Sequence, residues 1–159
     1  MEFFYNYETT IFASLIFGII TYYSRTSHRE RKWIKTKFGN NNIMALSFGV
    51  KCFGLASRPG KPQISSGFLL LTHDRLLYKS RAKRVEINIP VTDIIQVYHD
   101  NTHKGADLHQ SVVKIIFSNS YAHKDSVAFK VPYPPQWIDA IKIRGADLDS
   151  KSNIPRFNS

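Results

Sequence analysis

From residue 43 onward, apolar side chains return at every second position in short runs, and each run is bounded by residues that favour turns. A twofold period places alternate side chains on opposite faces of an extended chain, so this part of the sequence has to be a set of half-buried strands. The first run puts Met44, Leu46, Phe48, Val50 and Cys52 on one face against Ala45, Ser47, Gly49 and Lys51 on the other. Gly54 through Ser65, with Arg58-Pro59-Gly60-Lys61-Pro62, is a turn-rich loop. Gly67–Thr72 and Arg75–Lys79 form a predicted hairpin around the turn His73-Asp74. Val85–Val91 is a fourth strand, placed at an edge by Pro90, and Ile94–Tyr98 is a fifth. The polar stretch His99–Gln110 reads as a loop, followed by strands through Val113–Phe117 and Val127–Val131.

After Pro132-Tyr133-Pro134-Pro135, the stripe Trp137, Ile138 and Ile141 marks a short amphipathic helix that begins at Pro135. About seven strands and one helix bury their apolar faces as two packed antiparallel sheets or a strongly bent barrel, with the helix over one open end. The expected domain is therefore mainly β over residues 43–146, with a polar tail at 147–159.

The N-terminal part is of another kind. No charge occurs from Thr9 to Ser24, and the centre Ile11–Ile20 is apolar with tyrosines at both ends. This pattern predicts a transmembrane anchor over residues 1–24, with Glu8 at its outer boundary. Arg25, Arg29, Arg31, Lys32, Lys35 and Lys37 follow within a basic juxtamembrane linker at 25–42. No Lys or Arg precedes the apolar stretch. The asymmetry predicts an external N-terminus and a cytoplasmic β domain on a single-pass membrane protein. Helical periodicity continues through Trp33, Ile34 and Phe38 and ends near Gly39-Asn40-Asn41-Asn42.

Of 159 residues, 22 are Lys or Arg and 12 are Asp or Glu, a formal charge of +10, so anionic partners are favoured. Much of that charge flanks the apolar stretch and is explained by topology, which ranks nucleic acid low. The lone Cys52 excludes an internal disulfide and multi-thiolate zinc sites, and its place in a strand pattern makes it a core residue. His99, His103 and His109 lie near Asp100 and Asp107, yet no helix holds them at ligand spacing, so no metal site is assigned. Neither a phosphate-binding glycine loop nor a G-x-S-x-G elbow occurs. The chain is read as a non-enzyme without a cofactor.

Two segments carry a family likeness: Gly67-Phe-Leu-Leu-Leu-Thr-His-Asp-Arg-Leu-Leu-Tyr78 and Ile89-Pro-Val-Thr-Asp-Ile-Ile95. Together with a last helix bearing Trp137, they resemble the pleckstrin-homology-like and GRAM-like domains of the bacterial membrane-linked type, over residues 43 to 144. The resemblance implies a seven-stranded fold with a capping helix, and in some members the corresponding end binds phosphoinositide headgroups. In a meander, the first-to-second and third-to-fourth connections emerge together, which gathers Arg58, Lys61, Lys79, Arg81, Lys83 and Arg84 into one candidate anion-binding patch. The tight K…R-x-R pattern of high-affinity headgroup binders is missing from the first hairpin. The expected function is a membrane-anchored binding module for anionic lipid headgroups or a membrane or cytoplasmic protein partner; the alternative is a non-catalytic structural subunit of a membrane complex.

Overall fold

The computed structural model describes residues 2–82, 84–119 and 123–152, the side chains of 2–9, 23 and 147–152 excepted. The chain divides into two compact units, Met1–Asn40 and Asn41–Ser159.

The first unit is one helix, α1 (Glu2–Phe38). It runs through the basic segment without a break, so the expected linker is helical up to Phe38. Thr21, Thr26 and Thr36 turn their hydroxyls back onto the carbonyls of Phe17, Tyr22 and Lys32 at 2.8–2.9 Å, which satisfies these polar groups along the helix. Gly39 ends it: at φ 70° its N–H bonds the Lys35 carbonyl at 3.0 Å, a left-handed stop that suits glycine.

The transmembrane expectation is not met. Among the described residues no helix is long and apolar enough to cross a membrane. The strictly apolar centre Ile11–Ile20 is broken by Ser14 and Gly18, and at 1.5 Å per residue it reaches about 15 Å, half of a roughly 30 Å hydrocarbon core. The side chain of Glu8 lies outside the described residues.

The second unit is mainly β. Its elements are β1 (Ile43–Leu55), β2 (Ser65–Thr72), β3 (Arg75–Ser80), β4 (Glu86–Pro90), β5 (Ile94–His103), β6 (Ala106–Ser118), β7 (Lys124–Lys130) and α2 (Pro134–Ser152). All strand pairs are antiparallel, in one seven-stranded sheet of order β4-β3-β2-β1-β7-β6-β5. Of the two expected arrangements, a pair of packed sheets and a strongly bent barrel, the single continuous sheet agrees with the second. Ile87 and Ile89 from one edge strand share a core with Val97 from the other, so the sheet curls over a single interior. Trp137, Ile138 and Ile141 of α2 fill that interior, as the helical stripe predicts.

Three local expectations are corrected. The stretch 99–110 is a hairpin: β5 and β6 meet at Lys104-Gly105, both with positive φ (53° and 72°), a two-residue turn whose twist suits paired strands. Its exposed polar faces hide the alternation. The tail is helical as far as Ser152, because a run free of proline can continue a helix; residues 153–159 lie outside the described residues. In β1, Gly49 (φ 70°) sits at a register shift between Phe48 and Val50 and switches the parity. Ala45 packs on the core before the shift, and Val50 and Cys52 do so after it.

Candidate anion-binding site

The register Gly67↔Ser80 sets the start of β2 beside the end of β3. Consequently, the β1–β2 loop with Arg58 and Lys61 and the β3–β4 connection with Arg81 and Arg84 leave the sheet at the same end, as the meander requires. Backbone bonds fix the second connection, with Arg81 N–H donating to Ser66 O and Ser80 N–H to Val85 O, both at 2.9 Å.

The β1–β2 loop is held from two sides. Asp125, buried at the start of β7, accepts from the Ser57 N–H at 3.0 Å and the Ser57 hydroxyl at 2.6 Å. Ala56 N–H donates to Ser126 O at 2.8 Å. From the β5–β6 turn, the Lys104 ammonium donates to the Arg58 carbonyl. A narrow cleft results, lined by Arg58, Gln63, Ser65, Val85 and Lys104, which joins all three connections. Ser65, which lines it, is already engaged: it shares a hydrogen bond of 3.0 Å with the Tyr78 hydroxyl, and burial pushes the Tyr78 phenol up to about 12. Any anion would therefore sit on the rim among the cations.

The six predicted site residues fare differently. Arg58, Lys61 and Arg84 are exposed at this end, and Arg81 is half-buried beside them. Lys79 lies on the strand, 3.9 Å from Glu86 opposite it on β4, so part of its charge is offset. Lys83 lies outside the described residues. Lys104 joins the site although it is remote in sequence from both loops; a Lys-Gly pair between polar strands was the signal that could have placed it in a hairpin turn.

The helix cations Arg25, Arg29, Arg31, Lys32, Lys35 and Lys37 are all exposed. Spacings of four and three put Arg25, Arg29 and Lys32 along one side of α1. Lys37 instead lies over the Trp33 ring, 4.8 Å from its centroid.

The histidine-rich hairpin disperses its ligand atoms. His99 Nδ1 meets Ser111 Oγ at 3.2 Å, His109 Nδ1 lies 3.4 Å from Asp107, and Asp100 accepts from Lys114 at 2.8 Å. Among the described residues, no group of three His, Cys, Asp or Glu side chains is placed to hold a metal ion. Cys52 is buried in the core, and desolvation pushes its thiol up to about 11, far from thiolate reactivity.

No protein-family model matches the sequence, and no curated protein does either. Solved structures do match. The C-terminal domain of an unknown protein from Leishmania infantum aligns with a TM-score of 0.52 at 8% identity, covering 75% of this chain and 97% of that chain. A chain of the 8S snRNP assembly intermediate aligns with a TM-score of 0.50 at 8% identity, covering 76% and 91%. The Vps36 N-terminal PH domain aligns with a TM-score of 0.48 at 12% identity, covering 68% and 81%. At these identities the first two likenesses are of fold alone.

Proposed function

We propose that the β unit is a pleckstrin-homology-like binding module whose basic end takes anionic lipid headgroups at the cytoplasmic face of a membrane. The observation that carries this reading is the convergence of Arg58, Lys61, Arg81, Arg84 and Lys104 from three connections onto one end of the sheet. The strand order with its terminal helix and the Gly67–Tyr78 and Ile89–Ile95 likeness support the fold part of the reading. Cations near an anionic surface contribute about 1 kcal/mol each, roughly a fivefold change in affinity. The exposed cations of α1 would favour anionic lipids by the same attraction.

Binding to phosphatidylserine-containing vesicles, compared with neutral phosphatidylcholine vesicles, tests the site. The fragment 41–159 is the informative form, because it has its own core and lacks the cations of α1. Reversing Arg58 and Arg81 to glutamate should weaken binding by at least about 25-fold at low salt, the loss expected from removing the two positive charges alone, and the difference should shrink as salt rises. Equal binding by the wild-type and reversed fragments would remove the site. Retained capture of acidic peptides by the wild type, without vesicle binding, would move the reading to a protein partner.

A further inference from the structure

His103 plays no part at the basic rim, yet it is fully buried, at 0% exposure, at the end of β5. Its Nε2 lies 2.8 Å from the Gly54 carbonyl, so this nitrogen carries the proton and donates. The other ring nitrogen, Nδ1, is buried and has no hydrogen-bond partner among the described residues. The ring is thereby committed to one neutral tautomer. The contact crosses the fold, since His103 belongs to the β5–β6 hairpin and Gly54 to the end of strand β1 before the basic loop. Beside it, Leu108 and Val112 of the hairpin cover Phe53, in a small apolar cluster separate from the main core.

We propose that the β5–β6 hairpin is an acid-released flap, latched onto β1 by neutral His103. Taking a proton from solvent places a second N–H at Nδ1, where no acceptor waits, and adds a charge to a buried site. The neighbouring groups mostly oppose it. Lys104 of the turn and Lys114 of β6 repel the imidazolium, and Asp125 of β7 is the carboxylate that attracts it. Asp125 is already engaged by Ser57, and Asp100 by Lys114. His99, Asp107 and His109 of the same hairpin are exposed to water. Burial accordingly depresses the His103 pKa below that of a free histidine.

The sign follows. The lifted flap exposes the ring and binds a proton more readily than the closed one, so acid favours lifting. Closure is strongest above the free-histidine range, near pH 6.5, and weakens as pH falls from there toward the depressed value. Each unit of depression corresponds to a tenfold change in the open-to-closed ratio. Lifting uncovers Phe53 and withdraws Lys104 from the Arg58 carbonyl.

Amide hydrogen exchange on the full chain at about pH 7.5 and 4.5, corrected for intrinsic rates, tests the flap. Asp100, held at about 2 by Lys114, stays ionised across this window. Protection of residues 53–54 and 100–112 should fall in acid, while the β2–β3 pair keeps its protection. His103→Gln retains an N–H for Gly54 and cannot titrate, so its protection should stay constant. An equal loss in His103→Gln, or unchanged protection in the wild type, would overturn the proposal. An NMR titration of the wild-type His103 ring decides the matter independently of that variant: its midpoint must coincide with the loss of protection, and titration without such a loss also refutes the flap.

Discussion

At Gly67 a single Cβ decides whether two strands can meet. An added Cβ there would lie 2.0 Å from the Lys79 carbonyl oxygen, a backbone atom that cannot swing away. Gly67→Ala must push β3 off β2 at the base of the basic end. We expect a loss of about 2–3 kcal/mol, the scale of an overpacked core, read as a lower urea midpoint with unchanged slope. The same glycine opens the segment that resembles known family members, so a position found by pattern has a steric reason. Gly49 teaches the opposite lesson. Strict alternation across Met44–Cys52 puts Phe48 on the face of Val50, and the bulge at Gly49 undoes this. A bulge adds a residue without changing composition, so a periodic reading cannot see it.

Among the elements, α2 shows how far periodicity carries. The stripe Trp137, Ile138 and Ile141 identifies the buried side, and the structure adds a polar anchor: the Trp137 indole N–H donates to Ser47 Oγ at 3.1 Å. Trp137→Ala should cost about 3–5 kcal/mol by equilibrium denaturation, since it removes a large core side chain and strands the hydroxyl. Trp137→Phe should recover most of the packing but not the hydrogen bond. The β5–β6 hairpin was less legible, because exposed polar faces mask the twofold period. What holds it is a cross-strand pair, Lys114 to Asp100 at 2.8 Å, with both side chains less than a fifth exposed. The hydrogen bond from Lys114, with help from the backbone N–H groups of Thr102 and Asn101, lowers the Asp100 carboxyl from 3.8 to about 2. A depressed acid stabilises above its unfolded value and stops doing so as pH falls through its folded one. Asp100→Asn should therefore be about 2 kcal/mol less stable at pH 7, with the gap closing between pH 4 and 2. A pH-independent gap would assign the effect to shape rather than charge.

For the whole molecule, the strand pattern and the final helix were visible in the sequence, but the way the strands join was not. Alternation tells which face of a strand is wet, and says nothing about whether β4 and β5 meet. Likewise, the one-sided basic run after Ile20 led to a membrane span, although the apolar stretch itself is about half the length needed. The rim repeats this limit: Arg58 and Arg81 follow from loop parity, whereas Lys104 needs the hairpin to fold back.

The strand order has a consequence for how the chain is made. β1 to β4 form one local meander and β5 to β7 another, and among the described residues the strand ladders of the two are joined where β1 meets β7, at Lys51↔Lys130, Cys52↔Phe129 and Leu55↔Val127. A chain emerging from its N-terminus completes the first meander early, yet one side of β1 has no strand to pair with until nearly all of β7 has appeared. Until then a long strand with Val50, Cys52 and Phe53 offers its bare amides and carbonyls to any neighbour. The exposed interval in the making of this protein thus runs from the completion of β1 to the arrival of β7, and the seam that closes it is the shortest pairing in the sheet.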